Sequence, residues 1–349
     1  MNTSGVLRVK WLAAALIISC ALPAVLRSDY ELTIAILCMT YAALALSLDL
    51  TIGHAGQFSV AHAAFYGVGA YTSAILTTTY GLPAFLGFIC AGVGAAASGA
   101  ILSYQVARLK GHYLALASVA FLVLFQQLVV ALASITGGRN GLGNIPFPSA
   151  FGFSFDTPFK YYYVSLAMLA LTIIVIGNLV SSRFGRAWHA LQVSETGAAA
   201  CGVEVPRAKL QVFATSAGLA GITGATYAHF VTFISPESFD LHLSISLLIM
   251  VVLGGLRSMW GVMFTSIALT VIQQRLPASG GAQIGLYGVV IVLAVVFMPA
   301  GMSPLAERAK RLLFRKSDAH SAGEEICHRQ PQQDVQVDPS SILSAERRP

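Results

Sequence analysis

Six side chains concentrate polar chemistry in one short part of an otherwise apolar chain. They are Asp49, His54, Gln57, Ser59, His62 and Tyr66, within LDLTIGHAGQFSVAHAAFYGVGAYTSAIL, residues 48–76. A carboxylate, two imidazoles, an amide and two hydroxyls can exchange hydrogen bonds and protons. They do not form a recognisable catalytic or metal-ligating pattern. His54 and His62 are too far apart in sequence for one helical turn, and there is no HExxH, GxSxG or paired Cys–His motif. No lysine follows a glycine, so there is no Walker A loop. No catalytic residue, metal site or cofactor is expected. Gly53, Gly56, Gly67 and Gly69 punctuate the same stretch, and each weakens a helix by about 1 kcal/mol relative to alanine.

The elements that must position these groups are helices in lipid. The chain is 56% hydrophobic and 10% charged, where a soluble chain carries about a quarter charged residues. Apolar runs near 11–26, 32–50, 58–79, 82–104, 113–135, 161–180, 210–233, 243–256, 259–276 and 284–298 predict an all-α polytopic transmembrane bundle of about ten spans, with one or more broken helices. The first run resembles a signal peptide, but the many spans that follow favour an uncleaved helix. In lipid, backbone groups freed by a break must find partners, so the break near residue 56 is expected to face the protein interior.

Positive charge orients the bundle. With the N-terminus in the cytoplasm, Arg8, Lys10, Arg108, Lys110, Arg183, Arg186, Arg207, Lys209, Arg257 and the cluster from Arg308 to Lys316 fall inside. Only Arg27, Arg139, Lys160 and Arg275 fall outside. Short cytoplasmic loops carry the excess of Lys and Arg, so both termini are expected in the cytoplasm. The net charge of +6 therefore reads as topology and lipid headgroups, with no nucleic acid. The expected division is a membrane domain over 1–304, holding a cytoplasmic loop at 181–209, and a disordered cytoplasmic tail over 305–349. The five cysteines make no CxxC pair and read as free thiols. Small-residue stripes, Ala91–Ala100 and Ala217/Gly221 with Ala220/Gly224, predict close helix packing.

Ion-driven carriers hold several ionisable groups at membrane depth. Asp49 is the one acidic residue expected within or at the edge of a span, so any driving energy should come from another subunit.

Several blocks, in order, resemble the permeases of branched-chain amino-acid ABC transporters, the LivM type. They are GHAGQFSVAHAAFYGVGAYTSAIL (53–76), GHYLALASVAF (111–121), TGGRNGL (136–142), the long stretch 181–239 and LLIMVVLGGLRSMWG (247–261). The likeness spans roughly residues 32–299. Ala61, His112 and Glu204 depart from the usual residues at their positions. The resemblance implies an inner-membrane, multi-pass subunit of a heteromeric importer. A second permease subunit would complete the pore, two cytoplasmic ATP-binding subunits would drive it, and a periplasmic substrate-binding protein would deliver the amino acid. It further implies that SETGAAACGVEV (194–205) is a helix docked on the ATPase, with Glu195, Ala198, Ala199 and Gly202 in the coupling loop and Glu195 facing a basic residue of the ATPase.

On this reading Gln57, Ser59, His62 and Tyr66 border the translocation path, with Asp49 and His54 near its cytoplasmic mouth. The competing reading is that His54, Gln57 and His62 bond neighbouring helices. External loops 136–159 and 233–244, with Arg139, Glu237 and Asp240, are expected to meet the binding protein. Other function classes remain open: a permease for urea, short amides or other amino acids, an ion-driven carrier, or a membrane enzyme, for which the clustered titratable groups are missing.

Overall fold

A computed structural model describes residues 28–106, 112–150 and 153–275, with positions 23, 285, 288 and 289. The expected spans at 11–26 and 284–298 fall almost wholly outside the described residues, as does the tail. Contacts divide the chain into two compact units, 1–303 and 304–349, the second outside the described residues.

The first unit is all-α. In chain order its helices are α1 (Asp29–Asp49), α2 (His62–Thr78), α3 (Ala84–Val106), α4 (His112–Ala131), the single turn α5 (Ala133–Thr136), α6 (Pro158–Ser181), α7 (Arg183–Val193), α8 (Glu195–Ala200), α9 (Val205–Val231), α10 (Leu241–Gly254) and α11 (Met259–Arg275). A π-helical turn, Leu50–His54, extends α1, and a 3-10 turn, Pro236–Phe239, leads into α10. The strands among the described residues are two-residue β1 (Ser149–Ala150) and β2 (Phe153–Ser154), antiparallel, with Ser149 opposite Ser154 and Ala150 opposite Phe153.

Among the described residues, five helical segments are long and apolar enough to cross a membrane: Asp29–His54, Ala84–Val106, Tyr113–Ala131, Pro158–Ser181 and Pro236–Gly254. Burial sorts them. The apolar window of the first is 72% buried, against 28–33% for the second, third and fourth. So α1 is the central helix, closed off on all sides from Ala42 to Asp49, packed against α6, α9, α10 and α11, while α3, α4 and α6 are the more exposed spans. Phe85, Val93 and Ile101 on α3 and Leu116, Leu124 and Leu128 on α4 are exposed, which suits contact with lipid. The N-terminus of α1 includes Asp29 and Glu31, so Asp49 is not alone in being acidic within that segment.

The small-residue stripes join α2, α3 and α9. Gly69 lies against the backbone of Gly221, and Gly224 lies against the carbonyl of Tyr66. Gly92 and Gly99 of α3 meet Ile222 and Ala217 of α9. Backbones this close leave no space for a Cβ, the arrangement that lets helices associate in lipid.

The two ends of the bundle follow from contacts. At one end the Tyr30 hydroxyl donates to the Gln274 carbonyl (3.0 Å), and Ser73 meets His229 (2.9 Å). At the other, Asp49 meets the backbone of Arg257 (3.0 Å) and Lys209 meets Glu195 (2.7 Å). At the first end the loop 136–159 folds onto the 232–234 connection. Leu142 and Ile234 exchange backbone hydrogen bonds of 2.8 and 2.9 Å, and Ile145 N–H donates to Thr232 (3.2 Å).

His229 locks that loop. Its Nδ1 lies 2.7 Å from the Pro146 carbonyl, which can only accept, so Nδ1 carries the proton and Nε2 accepts from the Ser73 hydroxyl. His229→Leu leaves the buried Ser73 hydroxyl unpaired and frees the Pro146 carbonyl, and is expected to cost about 1–3 kcal/mol. Limited proteolysis of the 141–148 segment should accelerate; an unchanged cleavage rate would show that the loop does not depend on this residue. Farther along the same loop, a hydrogen bond from Lys160 holds the exposed Asp156 carboxyl below its usual range. That interaction is present at neutral pH and lost as pH falls through the lowered value.

Candidate functional site

The α1–α2 junction is where the predicted polar residues gather. α1 does not stop at a glycine but widens into the π turn, then leaves helical geometry at residues 55–61. α2 begins at His62, four residues later than the apolar run suggests. Gly56 supplies the positive φ, +67°, needed to turn the chain.

A helix start buried in the bundle has unpaired N–H groups, and three serines take them. Val60 N–H donates to Ser118 Oγ of α4 (2.8 Å), Ala61 N–H to Ser59 Oγ (3.3 Å), and Ala63 N–H to Ser244 Oγ of α10 (3.2 Å). The break thus faces inward and draws its partners from neighbouring helices, as lipid requires. Ser118 lies within the block 111–121 and Ser244 at the end of the loop 233–244, but nothing in the sequence singled out either as a partner of the break.

A second polar chain ties α1, the π turn, α2 and α9. Ser47 donates to the Leu44 carbonyl (2.7 Å), so His62 Nε2, 2.7 Å away, is assigned as donor to Ser47 Oγ. Thr51 donates to Ser216 (2.7 Å), which donates to the Ser47 carbonyl (2.6 Å). Every member is buried, and each hydroxyl proton has one acceptor.

Asp49 is almost fully buried. Its Oδ1 accepts the Arg257 N–H in the turn between α10 and α11, and its Oδ2 lies 3.6 Å from His54 Nδ1. That turn is tight: Gly255 and Arg257 both have positive φ, 89° and 68°. The carboxylate therefore clamps the α10–α11 connection to the π turn. Gly53 packs directly on this contact. Gln57 is buried with its amide 3.4 Å from the Ala55 carbonyl. Tyr66, one turn into α2, packs at an angle against Tyr227 (5.5 Å) and edge-on against Phe239 (5.4 Å). So Asp49, His54, Gln57, Ser59 and His62 converge on one junction, and Tyr66 leads from it toward the opposite end.

The segment 181–209 is mostly helical. In α7, Gly185, Trp188 and Leu191 are buried at helical spacing, while Arg183 and Arg186 are exposed. Ser194 caps α8 by accepting from Gly197 N–H (3.1 Å). At the other end Gly202, φ +82°, donates to the Ala199 carbonyl, and Val203 donates to the Ala198 carbonyl, each at 3.0 Å. This paired pattern is a Schellman cap, which explains why glycine stands there. Ala198 faces inward, while Thr196, Gly197, Ala199 and Ala200 present a slim exposed surface.

Two contacts link this segment to the bundle, and sequence reading missed both. Gln192 of α7 packs against Gly56 at the break, with a Cβ placed there falling 3.1 Å from its Cγ. Glu195 forms an ion pair with Lys209 of α9 (2.7 Å), whose side chain is 3% exposed. The carboxylate expected to meet a basic group on another protein is thus engaged within this chain. Among the described residues no group of three or more His, Cys, Asp or Glu could hold a metal.

Comparison with known proteins shows what the chain as a whole is similar to. The pattern of the family described as "Branched-chain amino acid transport system / permease component" matches residues 30–299. The chain is 33% identical, over 335 residues, to the high-affinity branched-chain amino acid transport system permease protein LivM of Escherichia coli K12, covering 89% of this chain and 79% of the relative. The LivM protein of Salmonella typhimurium is 32% identical over the same shares. The LivH permease protein of Salmonella typhimurium is 28% identical over 253 residues, 66% of this chain and 80% of the relative. No solved structure matches at a significant level.

Proposed function

The chain belongs to the family of branched-chain amino acid transport permease components, and on that premise we propose that it is one membrane subunit of an ATP-binding-cassette importer for branched-chain or similar hydrophobic amino acids. The match over residues 30–299 carries this reading. In the proposal a sister permease completes the pore, two cytoplasmic ATP-binding subunits supply the energy, and a periplasmic binding protein delivers the cargo. About ten spans, counting those at 11–26 and 284–298, put both termini in the cytoplasm, with 1–304 as the membrane domain and 305–349 as its tail. Positive charge on the 181–209 side supports that orientation.

The proposed mechanism runs from α8. Its short exposed face, built on Ala199 and bounded by Gly202, seats in a groove on the ATPase, and Ala198 holds the helix to the bundle. When the ATPase pair closes, α8 moves. Glu195–Lys209 carries that movement to α9, and Gln192 carries it to Gly56. The break between α1 and α2 then shifts, and Gln57, Ser59 and His62 border the cargo path as it opens, with Asp49 and His54 at its cytoplasmic end and Tyr66 deeper in. Neutral hydrogen-bonding groups suit an importer, because a cargo already selected outside should pass without being held.

Uptake of radiolabelled L-leucine by cells carrying all subunits tests the residue roles. Gln57→Ala with His62→Ala, at matched membrane abundance, is expected to lower uptake about tenfold, equivalent to 1.4 kcal/mol on the rate-limiting step. Unchanged uptake would assign both residues to packing alone. Loss of uptake when the ATP-binding subunits are omitted is also expected; uptake by this chain alone in liposomes would refute the importer.

A further inference from the structure

Between α1, α9, α10 and α11 lies a cavity of about 200 Å³, distinct from the α1–α2 break. Its polar lining is Tyr41, Tyr227, Ser238, His242, Ser246 and Gln273, drawn from five elements. Leu243 and Met250 supply an apolar wall. The space is smaller than a drug-sized site, and holds either several waters at about 30 Å³ each or one small solute.

We infer that this cavity is where the cargo first lodges in the chain, as an intact zwitterionic amino acid with a short aliphatic side chain. The inference rests on the proposed function and adds a site to it. Three observations support it. Among the described residues, no Asp, Glu, Lys or Arg lines the cavity. A solute with net charge would lose its hydration without a counter-charge, which is costly at membrane depth. The Tyr227, Ser238 and Ser246 hydroxyls can instead donate to a carboxylate and accept from an ammonium, and Leu243 and Met250 can meet the aliphatic part.

The second observation is position. His242 is exposed at the start of α10, so the cavity opens toward the end of the bundle that carries the 136–159 loop. That is the end facing the delivering protein in the proposed orientation.

The third is what adjoins it. The Tyr227 ring, on the cavity wall, packs on Tyr66 (5.5 Å) and Phe239 (6.5 Å), and Tyr71 and Phe125 pack on Phe239 (5.9 and 6.4 Å). Tyr66 stands on α2 one turn beyond His62, so this aromatic cluster links the cavity wall to the helix that begins at the break. The Tyr66 hydroxyl is buried without a hydrogen-bond partner among the described residues, so α2 can move there without breaking a bond. In the proposal the cargo lodges beside this cluster and passes on when the break shifts.

Thiol protection in the complete transporter tests this. Cys20, Cys38, Cys90, Cys201 and Cys327 are replaced by alanine, and Ser246→Cys or Ser238→Cys is introduced singly. Intact cells are treated with a membrane-impermeant methanethiosulfonate, with and without L-leucine, and L-leucine uptake is measured in parallel before labelling. Both cysteines should label, and L-leucine should slow labelling by the factor 1 + [L]/Kd, about tenfold at roughly ten times Kd. Either variant suffices if the other does not assemble. Labelling that L-leucine leaves unchanged, in cells that still import it, identifies a hydrated cavity and overturns the inference while the proposed function stands. Protection by urea or acetamide but not by L-leucine overturns the zwitterion assignment. Absence of L-leucine uptake even before any cysteine is changed overturns the proposed function itself.

Discussion

Adding one methyl group at Gly224 is expected to unseat α2 from α9. An alanine Cβ there would fall against the Tyr66 carbonyl oxygen and within 3.1 Å of the Ala70 nitrogen. Both are helix backbone, so no side chain can swing aside. Overpacking of this kind costs about 1–3 kcal/mol, and the upper end applies where backbones collide. The test gains force from a paired control. Gly177, in α6, is exposed, and a Cβ added to it would meet nothing within 4 Å. There glycine only weakens the helix, so Gly177→Ala should stabilise by up to about 1 kcal/mol. The same chemical change therefore has opposite signs at two helical glycines. Thermal aggregation of detergent-purified protein, read by size exclusion, separates them. A neutral Gly224→Ala would mean that α2 and α9 are not in backbone contact.

Breaking the Glu195–Lys209 pair from the carboxylate side is the second large effect. Lys209 is nearly inaccessible, and Glu195 is 22% exposed. Glu195→Gln leaves a buried ammonium without its counter-charge. Removing one partner of a buried pair costs about 3–5 kcal/mol, whereas replacing both by apolar groups is often neutral. The single variant should therefore lose stability and L-leucine uptake together. Glu195→Gln with Lys209→Met should recover the stability. If the pair also transmits movement from α8 to α9, uptake in the double variant stays low at normal abundance. Recovery of both would make the pair structural only, and full uptake in the single variant would show that the pair is not formed in the working transporter.

Much of the fold was legible because lipid imposes simple rules. Spans must be long and apolar, and eight of the expected runs coincide with helices among the described residues, with ends shifted by a few positions. At the start of α2 the four-residue shift came from reading hydropathy through residues 58–61, which are apolar enough to span but leave helical geometry, with the Val60 N–H bonded to Ser118 of α4 and the Ala61 N–H to Ser59. Hydropathy sees side chains and not backbone partners. The stripe Ala217/Gly221 and Ala220/Gly224 announced a close contact, though not that Gly69 would oppose it, since pairing across helices is a tertiary fact. In the candidate site, the residues around the break were legible by their polarity. Ser47, Ser118, Ser216 and Ser244 were not, because a serine in an apolar helix more often bonds its own backbone. The Gln192–Gly56 contact and the Lys209–Glu195 pair depend on how α7 and α8 fold back, which no local pattern encodes. The end of α8 at Gly202 is by contrast a local feature, since a Schellman cap forms between a glycine and the turn just before it.

Coupling to an ATPase requires α8 to lie on the side of the membrane where ATP is hydrolysed. Cys201, at the C-terminal end of α8, is exposed and serves as a native reporter once the other four cysteines are replaced. In cells containing the whole transporter, a membrane-impermeant maleimide should leave it unmodified from outside and label it in inverted vesicles. A short bifunctional thiol–amine reagent should then join it to the ATP-binding subunit. Labelling of Cys201 from outside intact cells would place α8 on the wrong face and contradict the proposed coupling.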